Sequence, residues 1–289
     1  MTMVTRVPGA DELPEVVAAL REWQDDHAPL RLHPGDLGWF WRWGAATTAS
    51  AVRTWRRDGR LLAVGLLDGP GLLRLTTAPD TRQDEELARR LADDISHPDR
   101  DVLPAGRVDV EAPADALVQD LLTEAGWGTG EPWTPLRRDL TEPVEDPGLR
   151  IETVGPRSAP VRAALQRAAF DGSTFTDDRW HAMASGVPYA DARCLVGHDE
   201  RDVPVAVVTV WSAGPGRPGL LEPMGVHRDH RGRGHGRAIT VAAAAALREL
   251  GSSSARVCTP SALAGAVATY RSAGFRPEAE VRDRCPPTP

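Results

Sequence analysis

Residues 220–237 read LLEPMGVHRDHRGRGHGR: an apolar, strand-like run passes through Arg231-Gly232-Arg233-Gly234-His235-Gly236 and continues into the alanine-rich, helix-like residues 238–250. Glycines between a strand and a helix start let the backbone come close to a ligand, and consecutive N–H groups then point outward. The helix dipole adds partial positive charge at the same place, and arginine pairs with phosphate through a planar fork. The stretch therefore predicts a site for a phosphate-bearing cofactor, with an ordinary exposed turn as the alternative. Two familiar phosphate loops are excluded. The spacing is Gly-x-Gly-x-Gly rather than Gly-x-Gly-x-x-Gly, and no Gly-Lys-Ser/Thr follows. The chain contains no lysine; its 34 basic residues are all arginine.

The strand carries a local conflict. In an extended run Leu220, Glu222, Met224 and Val226 share one face, and Leu221, Pro223 and Gly225 the other. Proline and glycine are poor central-strand residues unless a bulge interrupts pairing and the strand splays from its neighbour. A splayed strand has free backbone groups, which suit an extended ligand arm held by strand-like hydrogen bonds.

Arg231-x-x-Gly234-x-Gly236 on the loop and Tyr270-Arg271-Ser272-Ala273-Gly274-Phe275 downstream together resemble the GCN5-related N-acetyltransferase (GNAT) superfamily, over residues 149–284. That family's signatures are Arg/Gln-x-x-Gly-x-Gly/Ala after its fourth strand and a tyrosine followed by a Gly-aromatic pair. The resemblance implies an α/β (α+β) fold with a mixed, mainly antiparallel central sheet flanked by helices and splayed between strands four and five. It implies acetyl-CoA as cosubstrate. The pyrophosphate would lie on Arg231, Gly232, Arg233, Gly234, His235, Gly236 and Arg237, and the pantetheine arm along Met224, Gly225 and Val226. A main-chain N–H of the same three residues would polarise the thioester carbonyl. The sequence departs from the family at Leu263, where many relatives carry an asparagine that contacts CoA.

Composition sets the bounds. The chain has 289 residues, enough for two domains, with 41% hydrophobic and 26% charged residues, a globular profile. No run approaches the roughly 20 apolar residues that span a bilayer, and the N-terminal residues have no apolar signal-peptide core. Three cysteines without paired spacing (Cys194, Cys258, Cys285) argue for a reducing cytoplasm and against a disulfide frame or a metal site. A net charge of −7 disfavours nucleic acid and mildly favours a cationic acceptor. The expected protein is cytoplasmic, monomeric or homodimeric, with no membrane contact and no metal.

The chain also reads as one unit written twice. Ala125-Gly126-Trp127 parallels Ala273-Gly274-Phe275 at an offset of 148 residues, and Asp80 parallels Asp229 at 149. The apolar runs at 61–67 and 205–211 each lead through a Gly-Pro turn to the next strand. Residues 141–148, with two prolines, a glycine and no apolar period, read as a linker between units at 1–140 and 149–289. In the first unit Thr81-Arg82-Gln83-Asp84-Glu85-Glu86 replaces the glycine loop, and Leu122 stands where the second has Tyr270. Carboxylates there suit a helix N-terminus and repel a pyrophosphate. The first copy is thus expected to be a degenerate, structural or substrate-shaping GNAT-like domain, and the second the catalytic one.

Acetyl transfer to an amine needs a neutral nitrogen, a nearby thioester carbonyl and a proton for the departing thiolate. Tyr270 is the expected acid, with a core tyrosine bonded to a carbonyl as the alternative. Glu222 is the candidate base, with a locally bonded glutamate as its alternative. His227 and His230 titrate near neutrality but sit in the turn before the loop. Asp171, Asp177, Asp178 and Trp180 are candidates for binding a cationic amine, or equally an acidic loop capping a helix. Trp39, Trp41 and Trp43 alternate, so an extended segment would place all three on one face, packing at the domain boundary or walling an acceptor site. Cys258 is expected to pack. The function expected is direct acetylation of a primary amine in a ternary complex, the acceptor a small molecule more than a protein. The alternatives are a noncatalytic acyl-CoA sensor and a protein-modifying acetyltransferase.

Overall fold

The computed structural model describes residues 3–29 and 32–287. In the N-terminal half, β1 (Met3–Arg6), β2 (Val52–Arg57), β3 (Arg60–Leu67), β4 (Leu72–Thr77) and β5 (Asp109–Glu111) follow in sheet order, antiparallel except for the parallel β4–β5 pair. Helices α1 (Leu13–Glu22), α2 (Pro34–Phe40) and α3 (Ala45–Ala51) lie between β1 and β2, α4 (Glu85–Ser96) between β4 and β5, and α5 (Val118–Glu124) between β5 and β6 (Gly128–Asp139). The C-terminal half repeats this scheme. Its elements are β7 (Arg150–Thr153), α6 (Ala159–Ala169), α7 (Asp177–Ala184), β8 (Ala192–His198), β9 (Pro204–Ser212), β10 (Gly219–Val226), α8 (His235–Glu249), β11 (Ser254–Pro260), α9 (Ala264–Ser272), β12 (Arg276–Pro277) and β13 (Val281–Cys285). Again the pairs are antiparallel up to a parallel β10–β11 pair.

The repeat extends to single hydrogen bonds. After α5, the Trp127 N–H donates to the Leu122 carbonyl at 3.0 Å; after α9, the Phe275 N–H donates to the Tyr270 carbonyl at 3.1 Å. The glycine between is left-handed in both, φ 84° at Gly126 and 83° at Gly274. Residues 140–149 connect β6 to β7 without helix or strand.

The two sheets join into one. Strand β6 pairs antiparallel with β11 from Ser254↔Asp139 to Pro260↔Trp133, and β13 returns to lie between β5 and β6. Each half therefore gives its last strand to the seam. Both middle hairpins are covered on two faces, which is why β3 and β9 read as nearly unbroken apolar runs rather than alternating ones. Around β9, Ala206, Val208 and Val210 pack in a core with Ile239 and Ala243 of α8, and Val207 and Trp211 pack in another with Trp180 and Met183 of α7. The alanines of α8 let that helix sit close to the sheet.

Helix α2 locks the halves together. A Cβ added at Gly35 or Gly38 would lie 2.5 Å or 2.3 Å from Trp211 ring or side-chain carbons, so both positions need glycine for the approach. Arg256 of β11 donates to the Ala28 and Asp26 carbonyls at 3.0 and 2.8 Å. His33, the α2 N-cap, accepts from the Gly35 N–H at Nδ1 (2.9 Å), which leaves Nε2–H to donate to the Pro218 carbonyl at 3.1 Å. Burial lowers its pKa to about 3, so the ring is neutral in the fold.

Candidate functional site

The loop before α8 has the geometry of an anion cradle. Gly232 and Gly234 are left-handed, φ 75° and 85°, and a Cβ at either would meet nothing within 4 Å, so the backbone surface is open. Gly234 is the N-cap of α8 and supplies no side-chain cap, and no acidic residue stands in the first turn. The leading N–H groups are thus left without partners of their own helix, and the dipole is uncompensated. A Cβ at Gly236 would lie 2.9 Å from Thr269, so the loop seats directly against α9. The corresponding N-terminus in the first half is closed: the Asp84 carboxylate accepts from the Leu87 N–H at 2.9 Å, and Glu85 and Glu86 fill the first turn of α4.

The loop arginines divide. Arg231 donates to the Ala169 carbonyl at 2.6 Å and, with Arg228 on the Ala168 and Arg167 carbonyls, closes the C-terminus of α6. Arg237 donates to the Ser272 carbonyl at 3.0 Å and pairs with Glu145 at 3.4 Å. Arg233 has no hydrogen bond or ion pair among the described residues and stays exposed. His235 is half-buried, its pKa lowered by burial.

Strand β10 separates from β11 after two paired positions, Gly219↔Ala255 and Leu220↔Arg256. On its other side the register with β9 shifts between Leu221 and Met224, then resumes at Met224, Gly225 and Val226. The bulge falls at Glu222 and Pro223, as proline chemistry requires. Glycine at 225 answers a close approach, since a Cβ there would lie 2.7 Å from Ala169 and Phe170.

Glu222 of β10 and Tyr270 of α9 lie close enough for the carboxylate's charge to act on the phenol. Tyr270 is 6% exposed, its ring 6.0 Å from Phe275, and its hydroxyl makes no hydrogen bond among the described residues. Burial, then the charges of Glu222 and Cys258, push its pKa up, so the phenol stays protonated. The Glu222 carbonyl accepts from the Trp211 indole N–H at 2.7 Å, which fixes the backbone at the bulge. Burial raises its carboxyl above the ordinary range against the opposing charge of Arg74. Cys258 is pushed up to about 12, mainly by burial, so its thiol is protonated and a poor nucleophile.

Three partners of this site come from the N-terminal half, and no sequence motif marks them. Arg74 of β4 reaches Asp36 of α2 at 2.7 Å, Glu111 of β5 at 2.9 Å, and Glu222 at 3.9 Å. The Asp36 side chain, 1% exposed, also accepts from the His33 N–H at 2.6 Å. The available signals were a lone arginine in the run LLRLTT and an aspartate three residues after His33, each local and ordinary. Asp283 of β13 joins the same field; burial and the carboxylates Glu111 and Asp109 raise it to about 6.

Several expectations fall elsewhere. The tryptophans are not on an extended segment: α2 runs to Phe40 and a 3-10 turn spans Trp41–Trp43. Pro34 at the first helical position and Asp36 two residues on are the start signal that the alternation obscured. Helical turns fan the three rings out, and all contact the C-terminal half. Trp39 stacks on Phe175 at 5.4 Å, Trp41 packs on Gly186, and the Arg179 guanidinium lies 4.0 Å over Trp43. Asp177 and Asp178 lie in the first turn of α7 behind its Thr176 cap, Trp180 is 3% exposed in the core, and Asp171 pairs with Arg228 at 3.1 Å. His227 and His230 meet edge to face at 5.1 Å and, with Val161, Leu165 and Pro204, line a cavity of about 330 Å³ between α6 and β9. Among the described residues no cluster of His, Cys, Asp or Glu forms a metal-binding group, and no helix is long and apolar enough to cross a membrane.

Residues 163–275, within the C-terminal half, match the sequence profile of the Acetyltransferase (GNAT) family. No curated protein matches the chain in sequence. Among solved structures it is similar to a GCN5-related N-acetyltransferase from Sphaerobacter thermophilus (18% identity, TM-score 0.59, covering 98% of this chain and 95% of that one). It is also similar to a tandem GNAT protein from the clavulanic acid biosynthesis pathway (15%, 0.59, 98% of each). A third is Saccharomyces cerevisiae N-myristoyltransferase with bound myristoyl-CoA (10%, 0.58, 98% of this chain and 78% of that one). At these identities the likeness is one of fold, and it spans both halves.

Proposed function

We propose that the protein is an acetyl-CoA-dependent N-acetyltransferase that acetylates a primary amine by direct attack within a ternary complex. The observation that carries this reading is the open, uncapped loop at Gly232–Gly234 following the strand that separates from β11 and carries Glu222, whose charge acts on Tyr270. The loop backbone from Arg231 to Arg237 would hold the pyrophosphate, with Arg233, unpaired among the described residues, as its cation. The unpaired edge of β10 at Met224, Gly225 and Val226 would hold the pantetheine arm, and a main-chain N–H there would polarise the thioester carbonyl. Glu222 takes the proton of the amine as nitrogen bonds to the carbonyl carbon. Tyr270 gives its proton to the sulfur as the carbon–sulfur bond breaks, leaving amide and free thiol.

The acceptor we favour is a small, cationic amine drawn by the carboxylates around Arg74, and we place the enzyme in the cytoplasm. The units at 1–140 and 149–289 act as two domains, of which the second carries the transfer chemistry. Release of CoA thiol should be measured across a panel of small amines and peptides, with Glu222→Gln beside wild type. Release with small amines that falls at least about 100-fold in the variant supports the reading. Acetyl-CoA binding without release for any acceptor would make the protein a sensor; release with peptides alone would make it a protein-modifying enzyme.

A further inference from the structure

We infer that Arg74, although it lies in the N-terminal half, is a positioning residue for the Glu222 carboxylate, so that the half without a phosphate loop completes the acceptor side of the site. The inference rests on reading Glu222 as the proton acceptor. Arg74 Nη1 stands 3.9 Å from Glu222 Oε2, outside hydrogen-bond range but inside the range in which opposite charges act strongly. Its guanidinium cannot drift. Nη1 donates to Asp36 at 2.7 Å and Nε to Glu111 at 2.9 Å. Asp36 is itself fixed by the His33 N–H, and the Arg74 side chain is only 13% exposed.

A surface pair of flexible chains would contribute little at this distance. Here the cation is held by two buried or half-buried anchors on α2 and β5, and it points across the seam at β10. Asp36, which holds Arg74, also acts on the Glu222 carboxylate, so α2 belongs to the same electrostatic field. Besides Arg74, the charged and titratable groups acting on Glu222 are Asp36, Asp68, Glu111, Arg42 and Tyr270. Asp68 and Glu111 oppose its ionisation, and Arg74, 3.9 Å away, is the charge that favours it most. Without Arg74 this base would lie among like charges and hold its proton at a pH where transfer requires it free.

The two halves thus divide the work. The C-terminal half carries the cofactor loop, the base and the acid; the N-terminal half holds the base in place and in charge state. This accounts for the loss of the phosphate loop from the first copy together with the preservation of a rigid contact at Gly35, Gly38 and Trp211.

The test uses the full chain and two substitutions with opposite expected signs. Arg74→Gln should raise the midpoint of the acidic limb of kcat/KM by about one pH unit, roughly a tenfold loss below that limb, with acetyl-CoA binding changed less than about twofold. Glu111→Gln removes a carboxylate from the same field and should lower the midpoint, whereas a merely structural disturbance would not reverse sign. The Glu222 titration is also read without catalysis, by carbon NMR of labelled glutamate in the free protein, the signal assigned by its loss in Glu222→Gln. A midpoint unmoved in Arg74→Gln, or moved upward or unchanged in Glu111→Gln, overturns the inference; if Arg74→Gln fails to fold, the Glu111→Gln shift decides it. If Glu222→Gln retains full transfer, the assignment of the base fails, and the NMR shifts still report whether Arg74 governs this carboxylate.

Discussion

Tyr270 is a core side chain and, in the proposed transfer, the acid. Its ring packs against Phe275 while its hydroxyl makes no hydrogen bond among the described residues, and burial keeps the proton on. Removing only the oxygen tests the assigned role. Tyr270→Phe should lower kcat by about 10²–10⁴-fold, the usual span for a positioned acid, with the KM for acetyl-CoA and the melting temperature nearly unchanged. Steady-state kinetics with thermal denaturation separate this from a folding role, in which stability falls with activity. Tyr270 and Glu222 stand out in the sequence because each lies in a short motif of fixed spacing. Arg74, Asp36 and Glu111 do not: they are separated from Glu222 by more than a hundred residues, and no local pattern carries a contact across that distance.

At the scale of elements, the loop and α8 are the most legible part of the chain. Glycine at 232 and 234 is required by left-handed backbone, a local property that composition displays directly. Gly234→Ala places a Cβ in that conformation, at a cost of about 1–2 kcal/mol, and points it into the open surface of the cradle. Calorimetry should show acetyl-CoA binding weakened at least about tenfold, with the remaining fold intact. The segment from Trp39 to Trp43 shows the opposite case. Alternating tryptophans suggest a strand, but Pro34 and the His33–Asp36 cap start a helix that a 3-10 turn extends. Side-chain alternation over five residues is too short a signal to outweigh a cap.

The whole molecule is governed by the seam. With β13 between β5 and β6, β6 on β11, and α2 on Trp211, the halves share one sheet and interlocked cores. His33 gives the seam a pH signature. Its pKa is about 3 in the fold against an ordinary 6.5, so the unfolded chain takes up a proton that the fold excludes. The stability it contributes is complete above about pH 6.5 and is lost progressively as pH falls toward 3. Wild-type melting temperature should drop across that window. His33→Asn keeps an N-cap but loses the Pro218 contact, so it should be about 1–3 kcal/mol less stable at pH 7 and show a shallower acid decline. An equal slope in both proteins would remove His33 from the account.

The sequence alone determined what short-range chemistry writes: a glycine loop before a helix, a bulged strand, a tyrosine at fixed spacing from it, and the doubling of the unit. Backbone conformation and hydrogen-bond capacity are local, so these features survive reading one residue after another. Tertiary structure alone decided that the two sheets fuse through exchanged strands, that the tryptophans fan out to bind the halves, and that Arg74 faces Glu222. Those depend on burial and on charges meeting across the seam, and burial is a property of the folded whole.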